Sequence, residues 1–251
     1  MIIKKCAAII LAILLIQQCF AQNIKVAVAA NLQSVIKVLG ADFTKRSGIV
    51  IEPIIGSSGN LATQIKNGAP FDVFLSADMA FPQGLYTDGF AVDKPLVYAS
   101  GSLIVCSTQN IDIKHWQSII LNNDISKIAI ANPAIAPYGK AATEALTKLN
   151  IIDKIKAKTV TGESIAQVNT YIITGVVNFG FTSQSLLMDD NQTIKLYWAP
   201  VDKKLYTPIQ QGMVILKHAT DNNLPQVQKF CKYLLSSSAK AILKKYGYLV
   251  Q

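Results

Sequence analysis

Two adjacent serines, Ser57 and Ser58, stand where an apolar run meets a glycine and an amphipathic pattern begins, in the stretch IIGSSGNLATQI. Serines at such a junction suit two kinds of chemistry, a nucleophile or an anion-binding site. A nucleophilic serine needs a strained G-x-S-x-G turn or a histidine within hydrogen-bond reach. GSSG lacks that spacing, and neither His115 nor His218 lies beside an obvious active-site acid. Since the usual phosphate and dinucleotide motifs are absent as well, anion binding is favoured.

Four predicted helix starts share this character. Each follows a strand of a predicted parallel sheet, at the edge where open α/β sheets bind ligands. A helix start exposes backbone N–H groups without intrahelical partners, and the helix dipole adds about half a positive charge. An anion can therefore be bound there without lysine or arginine. The residues at these four starts are Ala30 and Asn31, Ser57 and Ser58, Pro137 and Tyr138, and Ser164 and Ile165.

Each of these junctions also has an ordinary structural explanation. Asn31, Ser58 and Ser164 are common N-cap residue types, and a tyrosine after a proline usually packs in a loop. One such residue is more often a cap than a ligand. Four junctions, two in each predicted lobe, favour a common site because a cleft between lobes could direct them to one point.

Strands and helices alternate along most of the chain, which predicts an α/β fold with parallel strands and crossover helices. Two extended segments break the alternation, one from Leu96 to Ser107 and one that starts near Pro208. They predict two lobes that are joined by two crossings and separated by a cleft. The first lobe comprises residues 22–97 and 208–251, and the second comprises residues 98–207.

The first 21 residues have the pattern of a cleaved secretory signal. Lys4 and Lys5 precede an apolar run, and Ala21 is the small residue after which cleavage is expected. The apolar run is too short for a membrane-spanning helix. The mature chain is therefore expected to be exported and soluble.

Charge and cysteine content narrow the function further. Removal of the signal lowers the formal net charge from +9 to +7, and the remaining lysines are spread along the chain, which disfavours nucleic-acid binding. Cys106 and Cys231 lie in apolar segments, either as buried thiols or as a disulfide in an oxidising compartment. Because the cysteines, histidines and acidic residues are scattered, no metal site is predicted.

Longer motifs in the sequence resemble one protein family, the periplasmic molybdate-binding proteins of ABC transporters. The resemblance rests on the segments VAVAANL, GSSGNLATQIKNGAPFDVFLSAD, IANPAIAPYGKAATEAL, TGESIAQV and KKYGY, and it covers the mature chain in order. It implies the two-lobed type II periplasmic binding protein fold, in which each lobe has a central, mostly parallel sheet flanked by helices. It also implies a monomer in the periplasm that is not an enzyme. Such a protein needs no cofactor, binds molybdate or tungstate and delivers it to an ABC-type permease.

The resemblance assigns ligand contacts to five positions. Asn31 and Ser58 would contact the anion with side chain and backbone, and Ala30 would lie nearby. The second lobe would contribute Tyr138 and the backbone N–H of Ile165.

Three more serines, Ser57, Ser164 and Ser183, are secondary candidates. Ser183, in GFTSQS, stands where many family members have a tyrosine, and Tyr138, where several relatives have alanine, would replace that contact. Glu163 precedes one of the helix starts, and its carboxylate would repel a dianion. We therefore expect Glu163 to turn away and to cap or brace the helix start, so that only donors surround the ligand.

Three alternatives stay open. A receptor for sulfate, phosphate or an organic anion would share the architecture. A secreted hydrolase would use Ser58 as its nucleophile. An effector-binding domain of a transcription factor could share the fold, but the export signal and the lack of a DNA-binding segment disfavour it.

Overall fold

The computed structural model describes residues 23–188, 193–221 and 223–250. The predicted signal, residues 1–21, lies outside the described residues. Every helix in the described part of the chain is too short or too polar to cross a bilayer.

The described strands form two sheets of five. The strands are β1 (Ile24–Ala29), β2 (Ile51–Gly56), β3 (Val73–Leu75), β4 (Leu96–Gly101), β5 (Leu103–Ser107), β6 (Ile128–Ala131), β7 (Thr159–Gly162), β8 (Phe179–Ser183), β9 (Tyr197–Pro200) and β10 (Ile209–Ile215). The first sheet has the order β2-β1-β3-β10-β4, and the second has the order β7-β6-β8-β5-β9. The two-lobed α/β fold predicted from the sequence is confirmed.

Helices flank both sheets. Those described are α1 (Gln33–Ser47), α2 (Ser58–Lys66), α3 (Ala80–Thr87), α4 (Trp116–Ile119), α5 (Pro137–Lys148), α6 (Ile152–Ile155), α7 (Ile165–Ile173), α8 (Leu224–Leu234) and α9 (Ser237–Lys245). A short 3₁₀ turn, Ala30–Leu32, leads directly from β1 into α1.

Both sheets are mixed but mostly parallel, since four of the five strands in each run in the same direction, and their strands are arranged alike. β1 is parallel to β2 and β3, and β6 is parallel to β7 and β8. These strands are connected through helices, which parallel pairing requires. In contrast, β10 is antiparallel to β3 and β4, and β5 is antiparallel to β8 and β9. The antiparallel pairings involve the strands that adjoin the crossings between the lobes.

The chain changes sheet at two places. The first crossing is at Ser102, because β4 belongs to the first sheet and β5 to the second. The predicted boundary between residues 97 and 98 thus falls inside β4. The second crossing lies between β9 and β10, and the predicted boundary between residues 207 and 208 falls there. The division into lobes at those residue numbers stays a prediction.

The hydrophobic core is built on both faces of the first sheet and around the second. One face of the first sheet is covered by α1, α8 and α9, where Phe43 packs edge-on against Phe230 with ring centroids 5.1 Å apart. The opposite face packs against α2 and α3. In the second lobe, Trp116 makes a similar edge contact with Phe181 at 5.3 Å. Apolar burial is the main stabilising contribution in both lobes.

The two cysteines within the described residues lie in different lobes, Cys106 in β5 and Cys231 in α8, and both are free thiols. Burial raises the pKa of each thiol to about 12. The question left open by the sequence is thereby answered in favour of buried thiols. The described residues contain no group of three or more Cys, His, Asp or Glu side chains that could hold a metal ion.

A buried carboxylate, Asp72, joins β1, β3 and the segment before α8. It is fully buried. Its Oδ2 accepts from the backbone N–H of Lys25 at 2.8 Å and from Nδ2 of Asn223 at 3.3 Å. Its Oδ1 lies 2.8 Å from Nδ1 of His218. Because buried donors lose free energy when they lack an acceptor, this carboxylate is a strong determinant of stability.

Asp72→Ala should lower the free energy of unfolding by about 3 kcal/mol, because it removes the buried acceptor shared by the backbone N–H of Lys25 and the side-chain amide of Asn223. Asp112→Ala is the matched control, since Asp112 makes the same contact with His115 at 2.7 Å but both side chains are exposed. That control should leave stability nearly unchanged. Urea unfolding followed by circular dichroism measures both variants. Equal losses in the two variants would contradict the assignment.

Candidate functional site

A small pocket with a cavity volume of about 10 Å³ lies between the two lobes. It is lined by uncharged residues of both lobes. The first lobe contributes Ala29, Ala30, Asn31, Ser57, Ser58 and Ala77, and the second contributes Ala136, Pro137, Tyr138 and Ile165. All five residues predicted to contact the anion, and also Ser57, are among them.

Four helix starts meet at this pocket. The 3₁₀ turn before α1 begins at Ala30, α2 begins at Ser58, α5 begins at Pro137 and α7 begins at Ile165. The first N–H groups of a helix have no intrahelical acceptor, and the dipoles of α2, α5 and α7 place partial positive charge at their starts. The pocket is therefore electropositive although no lysine or arginine lines it.

The two serines of the GSSG segment have different roles. Ser57 is the N-cap of α2, and its Oγ accepts from the backbone N–H of Asn60 at 3.3 Å. Ser58 Oγ accepts from the backbone N–H of Ala77 at 3.0 Å. That bond uses a lone pair of the hydroxyl oxygen, so the hydroxyl proton of Ser58 stays available for a ligand.

Neither histidine is placed to activate Ser58. His115 contacts Asp112, and His218 contacts Asp72. Neither residue lines the pocket. The arrangement required for a serine nucleophile is therefore not formed around Ser58.

Asn31 belongs to a buried polar network in the first lobe. Its Nδ2 donates to Oε1 of Gln211 and to the hydroxyl of Tyr248, both at 3.1 Å. Gln211 Oε1 also accepts from the hydroxyl of Tyr98 at 2.9 Å. The other end of the same amide, Asn31 Oδ1, is buried and has no hydrogen-bond partner among the described residues.

Tyr138 connects this network to the second lobe. Its hydroxyl accepts from Nε2 of Gln211 at 3.2 Å. It also packs against Gly101, where an added Cβ would lie only 1.9 Å from the hydroxyl oxygen, so a side chain at this position would displace Tyr138. Burial raises the pKa of Tyr138 well above its ordinary value. The phenol is therefore neutral and keeps its proton.

Two of the three secondary candidates, Ser164 and Ser183, do not line the pocket. Ser164 Oγ accepts from the backbone N–H of Gln167 at 3.3 Å as the N-cap of α7. Ser183 Oγ lies 2.8 Å from Ser185 Oγ. Ser185 Oγ in turn donates to the backbone carbonyl of Asn31 at 2.7 Å, so Ser183 stands one hydrogen bond further from the site.

Glu163 is exposed, as expected. Its carboxylate does not brace the helix start, however. That role belongs to Ser164 and Gln167, because Gln167 Oε1 accepts from the backbone N–H of Glu163 at 2.7 Å. The two side chains together form an arrangement similar to a capping box.

The lobes touch beside the pocket through a backbone contact. The N–H of Gly59 donates to the carbonyl of Ile135 at 2.9 Å. A Cβ at position 59 would lie 2.8 Å from the Cα of Ile135, which is closer than real Cβ contacts come. The structure is thus in a closed arrangement that depends on glycine at position 59.

Sequence reasoning missed Gln211, Tyr248 and Ser185, which surround Asn31. Gln211 is fully buried at an irregularity of β10, where the register with β4 shifts between Gln211 and Gly212. The available signal was a glutamine directly before a glycine inside β10, since bulges often redirect a side chain toward a functional site. Tyr248 ends the KKYGY motif, which resembles the family but gives no indication of a contact with Asn31.

Comparisons with known proteins agree with this architecture. Residues 24–249 match the family model described as bacterial extracellular solute-binding protein. The chain is 36% identical to the molybdate-binding protein ModA of Azotobacter vinelandii over 232 residues, which is 92% of this chain and 91% of that protein. It is 35% identical to the molybdate-binding protein ModA of Rhodobacter capsulatus over 226 residues, covering 90% and 87%.

A solved structure supports the same relationship. The periplasmic molybdate-binding protein of Azotobacter vinelandii superposes with a TM-score of 0.84 and 32% identity, and the match covers 91% of this chain and all of that one. The resemblance that the sequence motifs predicted is confirmed. This chain belongs to the bacterial extracellular solute-binding protein family.

Proposed function

We propose that this protein captures molybdate in the pocket between its lobes and delivers it to an ABC-type permease. The observation that carries the proposal is the meeting of four helix starts at one uncharged pocket, two starts from each lobe. Such a pocket suits a small anion. The names of the relatives in Azotobacter and Rhodobacter support molybdate as that anion.

The donors around the pocket favour a fully deprotonated tetrahedral anion. Helix-start N–H groups and the Ser58 hydroxyl supply protons, whereas the nearest carboxylate predicted to interfere, that of Glu163, is exposed and outside the pocket. Tungstate has the same charge and shape, so we propose it as a second ligand. Hydrogen phosphate carries a proton that needs an acceptor, and the pocket has no carboxylate to accept it.

Ligand capture follows from the division of donors between the lobes. Each lobe supplies only part of the shell, so the anion is held firmly only when both lobes contact it. Binding therefore shifts the population from open to closed forms. We propose that the closed monomer, exported to the periplasm, is the form that the permease recognises, and that binding involves no chemical change in the anion.

Calorimetry of the mature protein with four oxyanions tests the ligand class. Molybdate and tungstate should bind at least about 100-fold more tightly than sulfate or phosphate, which corresponds to about 2.8 kcal/mol. Tighter binding of sulfate would assign the pocket to the smaller anion. Phosphate binding as tight as that of molybdate would show that the shell is not composed of donors only.

Ser58→Ala should weaken molybdate binding by about 10- to 100-fold, because a hydrogen bond to a charged group contributes about 1.5 to 3 kcal/mol. Ser236→Ala is the matched control, since Ser236 caps α9 through the N–H of Ala239 and does not line the pocket. Its affinity should equal that of the wild type. An unchanged affinity in Ser58→Ala would remove Ser58 from the site.

Gly59→Ala should hinder closure, because the added methyl group collides with the opposite lobe at Ile135. Overpacking of this kind costs about 1 to 3 kcal/mol, so molybdate affinity should fall about tenfold or more. At saturating molybdate, small-angle scattering should show less compaction than in the wild type. Gly84→Ala, at a helical glycine with no atom within 4 Å of the added Cβ, should close normally. Equal compaction in both variants would contradict the role of Gly59.

A further inference from the structure

The buried carbonyl of the Asn31 side chain presents a problem for an anion site. Asn31 is 3% exposed and lines the pocket, yet its two amide protons are directed to Gln211 and Tyr248 and its Oδ1 has no partner. A buried acceptor without a donor costs about 1 to 3 kcal/mol. A fully deprotonated oxyanion cannot relieve this cost because it offers only acceptors. In this arrangement the unpartnered atom of the Asn31 side chain is an acceptor, which cannot bind a deprotonated anion.

The same atomic positions admit a second arrangement. The oxygen and nitrogen of an amide have nearly the same shape, so an amide can be turned over in place while its donor and acceptor are exchanged. If Asn31 and Gln211 turn over together, Gln211 Nε2 faces Asn31 Oδ1 across the 3.1 Å contact. Gln211 Oε1 then faces the hydroxyl of Tyr138 across the 3.2 Å contact and accepts its proton.

Three hydroxyl groups surround the pair, those of Tyr98, Tyr138 and Tyr248. Their oxygen atoms can stay in place during this change, because only the hydroxyl hydrogens need to rotate. Tyr98 has a second acceptor, the carbonyl of Ser76 at 3.3 Å, and can donate there while it accepts from Gln211 Nε2. Tyr248 now donates to the backbone carbonyl of Asn31, and it can donate to Asn31 Oδ1 instead.

The backbone carbonyl of Asn31 is not left without a donor by this exchange. It keeps the hydroxyl of Ser185 at 2.7 Å. Every buried acceptor of the network is then satisfied, and Nδ2 of Asn31 is released from Gln211 and Tyr248.

We propose that Asn31 and Gln211 form a two-state amide relay and that the oxyanion selects the turned-over state. In that state Asn31 Nδ2 donates to the anion, and Gln211 is the positioning residue that holds Asn31 in this orientation. The proposal rests on the proposed function, because it requires an anion in the pocket. Bonds to charged acceptors are stronger than those to neutral ones, so the anion supplies the preference for this state.

The relay also connects the ligand to the contact between lobes. Gln211 lies in the first lobe and Tyr138 in the second, and their hydrogen bond reverses direction when the amides turn over. Tyr138 then donates rather than accepts. Because burial keeps the phenol of Tyr138 protonated, its hydroxyl can donate or accept this hydrogen bond throughout the physiological pH range.

A double-mutant cycle in molybdate affinity tests the relay. Gln211→Met keeps the approximate volume and removes both amide groups, so it should weaken binding about tenfold, and Asn31→Ala should weaken it at least as much. The double variant should bind less weakly than the sum of the two losses predicts, because the effect of Gln211 on the anion is transmitted through Asn31 and the two residues therefore act as a unit. A merely structural role would instead give additive losses, and additivity would overturn the proposal.

The control for this cycle is Gln210→Met, at the exposed neighbouring position of the same strand, and it should bind like the wild type. Gln211→Met with an affinity within twofold of the wild type would also overturn the relay. Failure of the wild-type protein itself to bind molybdate would instead refute the proposed function. The two failures are thus distinguished.

Neutron diffraction from crystals of the wild-type molybdate complex, grown in D₂O, gives a direct test that does not depend on the folding of a variant. Deuterium on Asn31 Nδ2 should be directed at the anion, and deuterium on Gln211 Nε2 at Asn31 Oδ1. Deuterium on Asn31 Nδ2 that still faces Gln211 Oε1 in the complex would overturn the proposal.

Discussion

An anion that is bound without a neighbouring cation must be surrounded by dipoles that already point toward it. Lysine and arginine can reach a ligand from many backbone positions, whereas a backbone N–H is fixed by the fold. The pocket described above depends on this constraint, because its positive character comes from the starts of helices. A small shift of one sheet relative to the other would separate these starts, so the arrangement of the lobes is itself part of the proposed binding site.

The strand order meets this constraint in the same way in both lobes. In each sheet the first strand of the crossover series is flanked by the next two, β1 by β2 and β3, and β6 by β7 and β8. The helices that follow these parallel strands begin at the same sheet edge. Two such edges face each other across the cleft, and the antiparallel strands β5 and β10 adjoin the connections that hold them together.

The alternation of strands and helices, the two crossings and the residues at the helix starts could all be predicted from sequence, because each of these features has a local signal. The polar network around Asn31 could not. Its partners Gln211, Tyr248 and Ser185 are separated from Asn31 by 180, 217 and 154 residues, and no short pattern reports contacts at that distance. Ser164 is a candidate from sequence because serine is common both as an N-cap residue and as an anion ligand. Only the three-dimensional arrangement shows that its hydroxyl caps α7.

The contact between Gly59 and Ile135 joins one main-chain donor to one main-chain acceptor. Apart from the requirement for a residue without a side chain at position 59, it makes no demand on the chemistry of the pocket wall. Substitutions of other side chains in the pocket wall can therefore leave this backbone contact intact. If the proposed function holds, this would suit the protein as a scaffold for sensors in which the pocket wall is varied and the contact between the lobes is kept.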